Sequence, residues 1–96
     1  MFKLTESAYH KLIEIVNQEK KSEDEQLYLR LTMWIGWGGP KLNLSLEERK
    51  IEGDRPYVFD DLTVIIHEKD MVYFNHTKLD YLQDLLGNKR FELLRI

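Results

Sequence analysis

The chain of 96 residues contains no cysteine. That absence removes disulfides, thiolate nucleophiles and thiolate metal sites together, and it constrains function more than any residue present. Basic residues are in the minority, 14 Lys and Arg against 17 Asp and Glu, for a net charge of −3. They are also scattered, with no stripe to follow a phosphate backbone, so no nucleic-acid partner is expected. Long apolar runs are missing; the longest extend over a few residues, far short of a membrane-spanning helix, and no membrane partner is expected. The N-terminus, Met1-Phe2-Lys3-Leu4-Thr5-Glu6, lacks the apolar run and small-residue cleavage site of a signal peptide, which makes the cytoplasm the expected location. No repeat, low-complexity segment or boundary interrupts the chain, so residues 1–96 read as one domain.

The composition that remains, 43% hydrophobic and 32% charged, has a globular balance. Residues 2–4 read as a short strand leading into a helix. Thr5 is the expected N-cap, its hydroxyl able to accept from a free backbone N–H, and Glu6 places negative charge where the helix dipole favours it. Ala8, Leu12, Ile15 and Val16 recur at helical spacing, Tyr9 and Ile13 widen the stripe, and Lys20-Lys21 suits the helix end. Ser22 to Gln26 reads as a solvated loop.

From Leu27 the period becomes two. Leu27, Leu29, Leu31, Met33 and Ile35 share one face, and Tyr28, Arg30, Thr32 and Trp34 the other. Three glycines and a proline in Gly36-Trp37-Gly38-Gly39-Pro40 predict an irregular loop, after which Leu42, Leu44 and Leu46 alternate with Asn43, Ser45 and Glu47. The charged stretch Glu47 to Arg55 reads as a connection. Tyr57-Val58-Phe59 and Leu62 to His67 flank Asp60-Asp61 as a hairpin. Residues 68–76 read as a short helical turn or an irregular link, Lys78 to Leu82 as a strand, and Gly87-Asn88 as a turn into Phe91-Glu92-Leu93-Leu94. The sum is an α+β arrangement.

These segments fall in a familiar order. LTESAYHKLIEIV resembles the opening strand and helix of the HesB-like, or A-type iron–sulfur carrier, family. LYLRLTMWIGWGGP resembles its strand running into a glycine-rich loop, FDDLTVIIHEKDMVYF its hairpin and link, and KLDYLQDLLGNKRFEL its Ile-Asp-Tyr-type strand with the glycine and aromatic end that follow. The resemblance implies a HesB-like domain in which an N-terminal helix packs on a mixed, mostly β, sandwich-like core of short strands. Carriers of this family place one cysteine just after the glycine-rich loop and a Cys-Gly-Cys pair near the C-terminus, soft ligands suited to iron or a cluster. Pro40 stands at about the first of these positions, and the sequence ends at Ile96, before a tail that would supply the others. The resemblance thus implies a cysteine-free member with no bound cofactor and no catalytic residue.

Three groups of residues are candidates for function. His10, His67 and His76 are the only histidines. His67 and His76 allow an alternative function, a metal-binding protein completed by carboxylates, although their spacing matches no zinc pattern and surface or capping roles explain them more simply. The pairs Glu47-Glu48 and Asp60-Asp61 suit acid–base chemistry poorly, since adjacent strand residues point to opposite faces. Trp34, Trp37, Gly38, Gly39 and Pro40 form an aromatic, glycine-rich segment suited to anchoring a partner, or to being covered by a second subunit. The expected function is an accessory or regulatory role in iron–sulfur assembly through protein contacts, with a homodimer or an assembly protein as partner.

Overall fold

In the computed structural model, which describes residues 1–96, strand β1 (Phe2–Leu4) runs straight into helix α1 (Glu6–Glu19). Thr5 makes the join. Its Oγ1 accepts from Ala8 N–H at 3.2 Å and donates to Asp80 Oδ1 at 2.6 Å. The same carboxylate oxygen accepts from Ser7 Oγ at 2.9 Å and from Tyr81 N–H at 2.8 Å. These donors, Thr5 first, hold the Asp80 carboxyl below its ordinary range. Helix α1 stops at Glu19, with Lys20 as its cap, and buries Ala8, Leu12 and Val16.

The remaining elements are β2 (Tyr28–Gly36), β3 (Gly39–Glu47), β4 (Asp54–Phe59), β5 (Leu62–His67), a 3₁₀ turn (Glu68–Asp70) continuing into α2 (Met71–Phe74), β6 (Thr77–Gln83) and β7 (Lys89–Arg95). They form two mixed sheets. The larger has the order β3-β2-β5-β4, with β2 and β5 parallel and the outer pairs antiparallel. The smaller has the order β1-β6-β7, with β1 parallel to β6. The expected helix on a mixed, mostly β core is what the chain forms. Leu29 and Leu31 of β2, with Leu62, Val64 and Ile66 of β5, turn one face of the large sheet toward α1, Phe2, Phe74 and Leu79. Leu42, Leu44 and Leu46 continue that face along β3 but stay half-buried at its margin.

Two segments depart from expectation. Gly36 to Pro40 is not an irregular loop: β2 continues through Gly36, β3 starts at Gly39, and only Trp37-Gly38 turns the chain. Gly38 at φ +89° supplies the positive angle that the third position of a type II turn demands. Pro40 is accommodated because β3 is an edge strand, where a missing N–H need not break a ladder. The connection expected over Glu47 to Arg55 is also shorter, since Glu47 ends β3 and Asp54-Arg55 opens β4.

Asp54 is recruited by Arg30. The guanidinium makes a two-pronged contact, Nη1 to Oδ1 at 2.7 Å and Nη2 to Oδ2 at 2.8 Å, and the Asp54 side chain is wholly inaccessible to solvent. Oδ2 also accepts from Ile51 N–H at 2.7 Å, and Arg30 Nε lies 3.4 Å from Glu47 Oε1. Arg30 on β2 and Asp54 on β4 flank β5 on the face opposite the leucines, so their pair spans Ile65, which is fully buried there. The pairing with Arg30, more than any other contact, holds the Asp54 carboxyl below its ordinary range.

The Arg30→Met variant leaves a buried carboxylate without its partner and is expected to lose about 2 kcal/mol in urea unfolding. Because Asp54 and Asp80 both titrate lower when folded, the stability they add is complete above about pH 4 and is lost as pH falls through their folded values. Urea midpoints measured from pH 7 down to pH 3 should therefore fall steeply only at the acid end. The fall should be shallower in Arg30→Met.

Candidate functional site

The end of the β2–β3 hairpin gathers every residue of the aromatic segment. Trp34 lies on the outer face of β2 opposite Lys41, Trp37 and Gly38 form the turn, and Gly39 and Pro40 begin β3. Exposure rises along β2 because the hairpin outruns the core: Leu29 and Leu31 are buried, whereas Trp34 is 65% exposed and Trp37 100% exposed. Ile35 follows the same trend. It shares the leucine face in register yet is 63% exposed, since nothing lies under this end of the sheet. Both faces of the tip therefore offer apolar surface, carried on a two-residue turn and a continuous ladder from Tyr28–Glu47 to Gly36–Gly39. Trp is prominent among interface hot spots, where its large apolar area is covered.

The histidines are dispersed and engaged locally. His10 is exposed on α1, with Nε2 3.6 Å from Glu6 Oε1. His67 closes β5; its Nδ1 accepts from Lys69 N–H at 3.1 Å, which leaves Nε2 to donate to the Glu52 carbonyl at 3.1 Å. Gly53 lets this ring in close, because a Cβ there would stand 2.6 Å from Nε2. His76 is exposed at φ +57°, in the bend between α2 and β6, and its carbonyl accepts from Ile96 N–H. No group of three His, Asp or Glu side chains is placed to hold a metal ion. Asp60 sits at φ +50° in the β4–β5 turn with no partner for acid–base work.

Two features escaped the sequence. Leu85 and Leu86 stand fully in solvent on the β6–β7 turn, which Asp84 organises by accepting from Leu86 N–H and Asn88 N–H, each at 2.9 Å. The Asp84-to-Gly87 spacing was the available signal, since Asp readily bonds to backbone two residues ahead. Asp70, beside α2, is 7% exposed, and its Oδ2 meets no donor. An acidic residue in a polar link carries no mark of such burial.

An iron–sulfur cluster does not fit this donor set. Pro40 offers no ligand atom, the chain holds no thiolate, and no His–carboxylate trio replaces one.

No family model matches the chain. It is 31% identical over 87 residues to a protein of Aquifex aeolicus (strain VF5), covering 91% of this chain and 73% of that protein. Three solved structures share its fold at a TM-score of 0.75. A solution structure of a protein from Aquifex aeolicus is 25% identical and is matched over 99% of this chain and 91% of its own. IscA with a 2Fe–2S cluster is 20% identical, over 99% and 82%. Escherichia coli SufA, involved in biosynthesis of iron–sulfur clusters, is 19% identical, over 96% and 77%. With that relative and this fold, the chain is a cysteine-free relative of the Aquifex aeolicus protein, built on the HesB-like fold of the A-type iron–sulfur carriers SufA and IscA.

Proposed function

We propose that this protein works by contact with other proteins, as an accessory or regulatory relative of iron–sulfur assembly, and that it is a binder rather than an enzyme. The observation that carries this reading is the full exposure of Trp37 on a tight, ladder-supported turn beside exposed Trp34. Relatives by fold supply the context: SufA is involved in biosynthesis of iron–sulfur clusters, and IscA is known with one bound. This chain retains the scaffold without the donors, so what remains to recognise an assembly protein is its shape and the apolar hairpin end. Gly38, Gly39 and Pro40 set the angle of that end, and Trp34 and Trp37 provide the anchoring area. A metal site on His67 and His76 gains no support from the geometry, because the ring nitrogens of His67 are taken by Lys69 and Glu52.

The test is binding of the full chain to iron–sulfur assembly proteins of its own cell, with and without Trp37→Ala. A central tryptophan lost from an interface weakens binding by roughly 30-fold. The melting temperature should not change, because Trp37 packs on nothing within the chain. Equal affinity of both forms would overturn the assignment of this surface.

A further inference from the structure

The outer edge of β3 has no strand beside it, so the backbone groups along that side of a nine-residue strand are left unpaired. The other edges are guarded. β1 has three residues, β4 carries Pro56 at its middle, and β7 paired with itself about Glu92 would set Glu92 against Glu92 and Lys89 against Arg95. β3 behaves differently. Folded back on a second copy about Leu44, it matches from Lys41 to Glu47: Lys41 meets the partner's Glu47, Leu42 the partner's Leu46, Asn43 the partner's Ser45, and Leu44 the partner's Leu44. Opposite charges, polar groups and leucines each find their own kind, which is the cross-strand chemistry that stabilises an antiparallel pair. Centring one residue earlier, on Asn43, sets Lys41 against Ser45 and Gly39 against Glu47, and the charge match is lost.

The monomer also leaves this edge unfinished. Leu42, Leu44 and Leu46 are half-buried, and a cavity of about 290 Å³ opens beside them between α1 and β3, lined by Ile15, Leu29, Leu44 and Leu46 with Glu19 and Ser45.

We propose that two copies of this chain pair antiparallel along β3, with the two-fold axis at Leu44, joining two four-stranded sheets into one of eight. The two Lys41–Glu47 contacts lie at the ends of the paired segment, on the face that carries Arg30, where Glu47 is already held by Arg30 and Ser45. The two Trp37 turns point to opposite ends of the joined sheet. This interface is independent of what those turns engage, and its tests leave Trp34 and Trp37 untouched.

Sedimentation of the full chain up to about 200 μM should show a dimer. Lys41→Glu and Glu47→Lys each place like charges opposite one another twice per dimer, and each should weaken it about tenfold or more. The double exchange, Lys41→Glu with Glu47→Lys, should recover most of the loss. Because the chain has no cysteine, Leu44→Cys reports the axis directly. It should give a disulfide-linked dimer on oxidation, the paired Cα atoms lying at about 5 Å. Leu42→Cys should give none, its copies standing four residues apart along the strands, about 13 Å. A monomer throughout the range, a dimer indifferent to Lys41→Glu, or cross-linking of Leu42→Cys as readily as Leu44→Cys would each overturn the pairing.

Discussion

The large sheet depends on one ion pair. Arg30 reaches from β2 across β5 to grip Asp54 with both prongs, and in doing so it closes the outer face over Ile65 and fixes where β4 begins. Glu47, at the end of β3, joins the same guanidinium, so three of the four strands meet at one side chain. Beyond it the β2–β3 ladder runs on past the ends of β4 and β5, and the exposure of Ile35, Trp34 and Trp37 follows from that overhang.

The fold does not depend on the chemistry that its relatives carry. The core of this chain is hydrocarbon: leucines of β2 and β3, apolar residues of β5, one stripe of α1, and Phe2, Phe74 and Leu79 between the sheets. None of these positions needs a thiolate, and a structure can therefore keep a TM-score of 0.75 to SufA and IscA while holding no ligand for a cluster. Site chemistry is grafted onto a fold and can be lost from it. What such a chain retains is surface, and here apolar side chains stand exposed at the end of a hairpin.

Much of this was legible in the sequence where the signal was local. Thr5 as a cap, the α1 stripe, the change of period at Leu27, the hairpin about Asp60-Asp61 and the short link after His67 all follow from neighbours within a few residues. Trp34 was correctly placed on the face away from the leucines. The failures were non-local. Gly36 to Pro40 reads as irregular by composition, but the ladder pairing Ile35 with Pro40 and Gly36 with Gly39 carries both strands into it. Arg30 and Asp54 are 24 residues apart, and no pattern of residue types announces their contact. Ile35 satisfies the inward period of its strand yet lies outside, because alternation fixes which face a residue shares and not how far the core extends beneath it. The turn at Gly87-Asn88 was legible, but the exposure of Leu85 and Leu86 within it was not, because Asp84 bonds the backbone into a projecting bend.

Without a thiolate, this HesB-like scaffold is expected to hold no cluster. The decisive measurement is the iron, zinc and acid-labile sulfide content of the anaerobically purified protein, together with its visible absorption spectrum. A colourless protein with far less than one metal per chain is the expected result. Iron and sulfide in stoichiometric amounts, with the absorption of a cluster, would contradict it.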